Sequence, residues 1–402
     1  MQCVILVGGL GTRLGELTRE CPKPMLDVGG RPFLDRLIEN AARFGAKRFL
    51  LLAGYFADVV RNHFPHGVFR ANGQTVTVEV LTEPAPLGTG GALRFAKDHL
   101  DPEFLMLNGD SLFSFNWLDL FATPLPSHAA GCIALRRVEN AARYGAVDTD
   151  ATSCVTRMID GSAVRGPADI NGGVYRLRRS VLQYIDEERA VSLEREVFPK
   201  LIAANGLFAR RHDGLFIDIG VPEDYAAAQS LPLSRRGAVF FDRDGVLNED
   251  GGYVHRIEDL RWRPNAQNAV RLVNDLDLYT FVVTNQAGVA RGLYTEGHVR
   301  RLHSKMQADL LSIGAHIDDF RYCPHHPEAS LEVYRAGCSW RKPGSGMLLD
   351  ILANWDIDIQ RSLLVGDKDS DIAAAKPLGI RCMRVDPEEP MYDLAAALRE
   401  AI

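Results

Sequence analysis

Six short apolar runs in this chain stop abruptly at Gly, Asp, Asn or Thr, and this pattern does most to limit what the chain can fold into. They are CVILVGG at 3–9, FLLLAG at 49–54, FLMLNGD at 104–110, AVFFDRD at 238–244, FVVTNQ at 281–286 and LLVGDKD at 363–369. Their shortness and branched side chains fit buried strands better than helices. Segments with helical spacing lie between them, at 33–44, 266–276 and 297–313. Strands alternating with helices predict an α/β chain of mainly parallel, Rossmann-like sheets with helices on both faces. Ligands of such sheets bind beyond the carboxyl ends of the strands, so the polar residues closing the runs stand where chemistry is expected.

A length of 402 residues is too great for one core. The clearest break is Leu231-Pro-Leu-Ser-Arg-Arg236, between a helical segment starting near Pro222 and a strand starting at Ala238. Two domains are therefore expected, 1–232 and 237–402, with a linker at 233–236. Apolar residues at 46% and charged residues at 24% are ordinary for a soluble globular protein. A net charge of −6 without a long basic tract argues against nucleic-acid or anionic-membrane partners. The opening apolar run is too short for a secretory signal, and no stretch reaches the roughly 18 apolar residues that span a bilayer. Seven scattered cysteines, an odd number, oppose a disulfide framework and favour a reducing cytoplasm.

In the first half, a strand runs into Gly8-Gly9-Leu10-Gly11-Thr12-Arg13-Leu14, followed by Pro22-Lys23-Pro24. Glycines there let backbone N–H groups approach phosphate oxygens at the start of a helix. A dinucleotide fingerprint would need glycine where Leu14 stands, and no G-K-[ST] follows for a P-loop. Two cations beside the loop, Arg13 and Lys23, suit a triphosphate whose leaving pyrophosphate gains charge. GGLGTRL followed by PKPML resembles the sugar-nucleotidyltransferase family, which joins a sugar 1-phosphate to a nucleoside triphosphate and has a GT-A-like fold. Glu83-Pro-Ala-Pro-Leu-Gly-Thr-Gly-Gly-Ala92, Asn108-Gly-Asp110, Tyr144-Gly145, Asn171-Gly-Gly-Val-Tyr175, Ser192-Leu-Glu194 and Phe216-Ile-Asp-Ile-Gly220 extend the resemblance over residues 3–226.

Two anionic substrates need a divalent cation between them before attack on the α-phosphorus. The resemblance implies that Asp110 and Asp218 hold Mg²⁺, and that Gly8, Gly9, Gly11, Thr12, Gly88 and Thr89 bind the nucleotide. It further implies that Gly145, Asn171 and Glu194 lie near the sugar. One departure stands out. The family commonly carries a Glu-Lys pair between the positions of Tyr144 and Asn171, and its lysine meets the sugar phosphate. This chain has Asp160 there and no lysine, leaving Arg157 or Arg165 as substitutes.

In the second half, Asp242-Arg-Asp244 closes a strand, Thr284-Asn-Gln286 closes another, Arg341-Lys342-Pro343 follows, and Gly366-Asp367 closes a third, with Asp371 beyond. Two carboxylates about 4 Å apart repel by roughly 4 kcal/mol at an effective dielectric near 20. Such a pair needs a cation, a shared proton or another compensating arrangement. These motifs, with Gly252-Tyr-Val-His255, Val283-Thr-Asn-Gln-Ala-Gly-Val-Ala-Arg-Gly292 and Cys323-Pro-His-His-Pro327, resemble the haloacid-dehalogenase (HAD) superfamily. Within it, they resemble the heptose-bisphosphate and histidinol-phosphate phosphatase group. The resemblance implies a nucleophile at Asp242, an acid–base at Asp244, phosphate binding by Thr284 and Lys342, and substrate contacts from Asn285 and Arg341. It places Mg²⁺ on Asp242, Asp367 and the Asp244 backbone carbonyl. Relatives often hold Zn²⁺ with four ligands. Cys323, His325 and Cys338 match three of them, but Trp340 stands at the fourth position and cannot ligate, so zinc and a metal-free loop both stay open.

Together the halves imply a bifunctional enzyme. It would remove the 7-phosphate of a heptose 1,7-bisphosphate and transfer a nucleotidyl group, from GTP by preference, to the heptose 1-phosphate. Mannose or glucose 1-phosphate, histidinol phosphate, and a second half acting only as a binding module are the alternatives. The expected partners are sugar phosphates and a nucleoside triphosphate; a homo-oligomer stays open.

Overall fold

The computed structural model describes residues 1–9, 11–186, 189–231, 233, 235–386 and 393–402; the side chain of Thr12 is outside that description. The chain divides into two compact units, Met1–Leu233 and Ser234–Ile402. Pro232 and Ser234, at the expected boundary, lie outside the described residues.

The strands of the first unit, in chain order, are β1 (Gln2–Leu6), β2 (Arg48–Ala53), β3 (Val68–Ala71), β4 (Gln74–Thr82), β5 (Glu103–Asn108), β6 (Ser111–Phe113), β7 (Gly131–Val138), β8 (Ala146–Thr149), β9 (Val155–Ile159), β10 (Ala168–Arg178), β11 (Leu207–His212) and β12 (Phe216–Asp218). Eight of them form one sheet in the order β11-β7-β10-β5-β1-β2-β4-β3. The sheet is parallel-rich but mixed. β1 runs parallel to β2 and β5, whereas β10 runs antiparallel to both β5 and β7. The chain enters β10 from the hairpin β8–β9 rather than from a long crossover helix, and parallel pairing needs such a crossover. Alternate residues of the sheet feed two cores. Cys3, Ile5, Leu51 and Leu105 pack under the helix Phe33–Arg43, and Val4, Leu50, Leu52 and Met106 pack with Leu93 and Phe198 on the other face.

The second unit contains β13 (Ala238–Phe241), β14 (Tyr279–Asn285), β15 (Asp319–Cys323), β16 (Leu363–Gly366) and β17 (Arg381–Arg384), in the order β15-β14-β13-β16-β17. Every pairing in this sheet is parallel. Val239, Phe241, Val282 and Val365 face the helices Ala266–Asp275 and Glu296–Leu311. Phe240, Phe281 and Leu364 face Gly346–Asn354. Side chains buried on both faces contribute about 1.5–3 kcal/mol each, and they aim the carboxyl ends of β13, β14 and β16 in one direction. Among the described residues, no helix is long and apolar enough to cross a membrane.

Candidate active sites

In the first unit, the loop after β1 and the turn after β5 are drawn together. The Gly109 N–H donates to the Leu6 carbonyl at 3.0 Å, and a Cβ at 109 would come within 2.3 Å of that oxygen. Only glycine permits this approach. A cleft of about 190 Å³ results, lined by Gly9, Gly11, Lys23, Thr89, Asp110 and Glu194, with Leu6, Pro24, Asn108 and Gly109 completing its wall.

Antiparallel pairing of β6 with β12 sets Asp218 opposite Ser111, and the Ile219 N–H donates to the Asp110 carbonyl at 3.0 Å. The two expected metal carboxylates are thus neighbours. Each has its own cation: Lys23 Nζ lies 2.9 Å from Asp110 Oδ2, and Arg143 Nη2 lies 2.9 Å from Asp218 Oδ2. Burial pushes the Asp218 carboxyl above the usual range, and the Asp110 charge pushes it further, against Arg143 and Lys23.

Thr89 Oγ1 donates to Glu194 Oε2 at 3.0 Å and accepts from the Leu193 N–H at 2.8 Å, so the helix Gly88–Phe95 is tied to the Glu194 segment. Arg13 is exposed on the loop. Gly145 and Asn171 do not line this cleft; Asn171 Nδ2 donates to the Tyr175 hydroxyl at 2.8 Å. The two arginines considered for the missing lysine are engaged elsewhere. Arg157 binds Asp148 at 2.7 Å, and Arg165 donates to the carbonyls of Ser162 and Val164 at 2.8 Å. Sequence reasoning missed Arg143 and Asn108. The buried Asn108 Oδ1 has no hydrogen-bond partner among the described residues.

In the second unit, Asp242 follows β13, Thr284 and Asn285 end β14, and Asp367 follows β16. Lys342 is brought in from a loop by a two-bond clasp: Asn285 Nδ2 donates to its carbonyl and Asn285 Oδ1 accepts its N–H, both at 3.0 Å. Its ammonium then lies 2.9 Å from Asp242 Oδ1, 2.6 Å from Asp371 Oδ1 and 2.8 Å from the Val283 carbonyl. Burial alone would lower the Lys342 pKa, but Asp242 and Asp371 carry it above its ordinary value. Burial raises the Asp242 carboxyl, with Lys342 opposing and Asp371 adding to the rise.

The Asp244 carboxylate sits in a fork of donors. Arg243 Nε and Nη2 reach it at 3.0 and 2.9 Å, Asn248 Nδ2 at 2.9 Å and Gln286 Nε2 at 3.0 Å. Gln286 Nε2 also reaches Thr284 Oγ1 at 3.0 Å, and its Oε1 accepts from the Tyr294 hydroxyl at 2.8 Å. Arg243 is fully buried, and it combines with burial to hold His303 well below its ordinary pKa.

Ligand oxygens of Asp242, Asp367 and Asp371 lie within 4.8 Å of one another, and the buried Asp367 Oδ1 has no hydrogen-bond partner among the described residues. Asp242, Asp244, Thr284, Asn285, Lys342 and Asp371 line a cleft of about 230 Å³ that also includes Tyr253, Tyr294 and Lys368. Asp371, in the first turn of the helix Asp369–Ala375, was noted in the sequence after Asp367, but no role was attached to it. Arg341 lies outside this lining; its Nη1 donates to the His325 carbonyl at 3.3 Å.

Metal-ligand atoms of Cys323, His325 and Cys338 lie within 4.8 Å of one another. Burial pushes the Cys323 thiol up to about 11, helped by Cys338. His326 is turned to another task, its Nδ1 accepting the Glu328 N–H at 3.0 Å. Trp340 and Cys338 are both partly buried and pack against the hydrophobic core.

A family model described as nucleotidyl transferase matches residues 2–234, and one described as HAD-hydrolase-like matches 339–398. The chain is 48% identical over 155 residues to a D-glycero-beta-D-manno-heptose-1,7-bisphosphate 7-phosphatase of Rhodopseudomonas palustris, covering 39% of this chain and 86% of that one. It is 33% identical over 228 residues to a D-glycero-alpha-D-manno-heptose 1-phosphate guanylyltransferase of Campylobacter jejuni, covering 56% of this chain and 97% of the relative. A probable mannose-1-phosphate guanylyltransferase of Oryza sativa is 36% identical over 239 residues, 58% of this chain, but is spanned over only 65% of its own length. The crystal structure of HddC from Yersinia pseudotuberculosis complexed with GMP-PN superposes with a TM-score of 0.50 at 32% identity, covering 57% of this chain and 97% of that one. The chain therefore belongs to the nucleotidyl transferase family through its first unit and, through its second, to the HAD-like bisphosphate phosphatases.

Proposed function

We propose that the chain is a bifunctional enzyme of nucleotide-activated heptose synthesis, working in a reducing cytoplasm. Its second unit would convert D-glycero-D-manno-heptose 1,7-bisphosphate to the 1-phosphate. Its first unit would join that product to GMP from GTP and release pyrophosphate. The observation that carries this reading is the presence in one chain of two acidic, cation-lined clefts, in units whose relatives are named for a heptose 1,7-bisphosphate, of either anomer, and for the alpha heptose 1-phosphate.

Both clefts fit Mg²⁺. Asp242 and Asp367, with the Asp244 carbonyl, would hold it in the second unit, where Asp367 Oδ1, without a hydrogen-bond partner among the described residues, and the adjoining Asp371 support the assignment. Asp110 and Asp218 would hold it in the first, where mutual repulsion already favours a cation. The ion supplies Lewis-acid neutralisation of phosphoryl oxygens in each.

In the phosphatase, the Arg243 N–H at 2.7 Å and Lys342 Nζ both fall on Asp242 Oδ1, leaving Oδ2 to attack the phosphorus. The Oδ2–P bond forms as the bond to the sugar oxygen breaks, and a proton from Asp244 goes to that oxygen. Water then attacks the aspartyl-phosphate, Asp244 takes its proton, and phosphate leaves. Thr284 and Lys342 orient the phosphoryl oxygens. In the transferase, Arg13, Lys23 and the backbone of Gly8, Gly9 and Gly11 take the triphosphate, and Gly88 and Thr89 take the base. Glu194, which lines the cleft, would face the sugar, whereas Gly145 and Asn171 lie off that lining.

Zinc fits less well. Among the described residues the cluster has three donors, whereas a structural zinc site closes with four. We therefore read the loop as ordering without metal, an assignment that stoichiometric zinc in chelator-washed protein would overturn.

The test is to incubate the pure chain with each anomer of the heptose bisphosphate, GTP and Mg²⁺. GDP-heptose and pyrophosphate are expected. Product from mannose 1-phosphate but none from either heptose substrate would establish the reading suggested by the Oryza relative instead.

A further inference from the structure

We infer that Arg143 binds the phosphate of the acceptor sugar, in place of the lysine that this chain lacks. The inference rests on the nucleotidyltransferase reading and names a residue within it. An acceptor phosphate must reach an α-phosphate held beside Asp110 and Asp218, so one anion approaches another and a second cation is needed on the acceptor side. Arg13 and Lys23 lie in the short helical turns Thr12–Thr18 and Lys23–Met25 that follow the glycine loop after β1, the triphosphate side of the proposed site. Arg143 comes from a different segment, the turn between β7 and β8, where the Tyr144 and Gly145 N–H groups both donate to the Ala141 carbonyl at 3.0 Å.

Three observations fix its charge beside Asp218. Nη2 lies 2.9 Å from Asp218 Oδ2, while Nη1 pairs with Asp224. Room for this is made at Gly220, where a Cβ would lie 2.8 Å from Asp218 Oδ1 and 3.2 Å from Arg143 Nη2. The guanidinium also sits 5.0 Å above the Tyr144 ring, which packs edge-on against Phe216 at 5.8 Å. The side chain is thereby held in place, although its surface is one-third exposed.

Guanidinium offers five N–H donors in a planar fork. Two directions are used by Asp218 and Asp224, and Nε has no hydrogen bond among the described residues. With a divalent cation balancing Asp110 and Asp218, Arg143 has charge and donors left for a phosphate monoester. Arg157 pairs with Asp148 and Arg165 donates to the carbonyls of Ser162 and Val164, and among the described residues neither contacts Asp110 or Asp218.

The experiment compares the full-length wild type with Arg143→Met and Arg143→Lys by calorimetry, using D-glycero-α-D-manno-heptose 1-phosphate, mannose 1-phosphate and GTP as separate ligands. KM for each substrate is measured alongside. Losing a charge-assisted contact should weaken sugar 1-phosphate binding about 10- to 100-fold in the Met variant. GTP binding should stay within about twofold, since Arg143 stands away from the triphosphate loop. Lysine should restore only part of the loss, because a point charge cannot serve Asp224 and a phosphate together. Equal losses for GTP and sugar phosphate would show a purely structural role and overturn the inference. An unchanged sugar-phosphate Kd in either folded variant, or the loss appearing in Arg157→Ala instead, would overturn it too. Wild-type protein that binds neither sugar phosphate would refute the nucleotidyltransferase reading itself, and this inference with it.

Discussion

The two units meet the same electrostatic difficulty, clustered carboxylates that must receive phosphate, in opposite ways. The second unit buries its solution. The Lys342 and Asp242 side chains are 3% and 8% exposed, and the cation is clasped to β14. The first unit leaves its equivalent open, with Lys23 and Asp110 at 15% and 35% on loops. A phosphatase that forms a covalent aspartyl-phosphate needs one oxygen fixed to within a fraction of an ångström, and a rigid sheet end supplies that. A transferase that admits two substrates and releases two products gains more from access.

The sharpest way to break this comparison is Asp242→Asn. Phosphate release from the bisphosphate should fall by about 10³-fold or more, while nucleotidyl transfer to a supplied sugar 1-phosphate should be unchanged. Loss of both activities would mean the units are not chemically separate.

A stability contrast comes next. Lys342→Met strands two buried carboxylates and should cost the second unit about 3–5 kcal/mol, read as a lowered melting transition in the full chain. Lys23→Met removes a more exposed pair and should cost about 0–1 kcal/mol, although transfer activity collapses. Equal costs would erase the distinction between buried and open sites.

The smallest expected effect concerns the fork around Asp244. Gln286→Leu removes one of its four donors and the link to Thr284. Phosphatase kcat should drop about 10- to 100-fold, with KM and the transferase little altered. A change in KM alone would assign Gln286 to substrate binding.

Most of the second site could be read from the sequence because its groups close consecutive parallel strands. Once β13, β14 and β16 are recognised as apolar runs, Asp242, Thr284 and Asp367 must emerge at one edge. Lys342 came from its motif; the clasp with Asn285 is a tertiary contact that no spacing encodes. The first site was less legible for the same reason. Asp110 and Asp218 meet only because β6 and β12 pair across more than a hundred residues, and β10 enters its sheet against the expected direction. Arg143 escaped notice because an arginine beside Tyr-Gly is unremarkable until Asp218 and Asp224 fold onto it. Asp371 was visible in the sequence beyond Asp367, but only the Lys342 contact gives it a purpose.

The arrangement around Asp242 also bears on chirality at phosphorus. With both N–H donors converging on Oδ1, the proposed route has a single attacking oxygen, and each displacement must proceed in line through an inverted phosphorus. The phosphoryl group is transferred twice, first to Oδ2 and then to water. Phosphate released from an isotopically chiral ester should therefore emerge with its original configuration, whereas direct attack by water would leave it inverted.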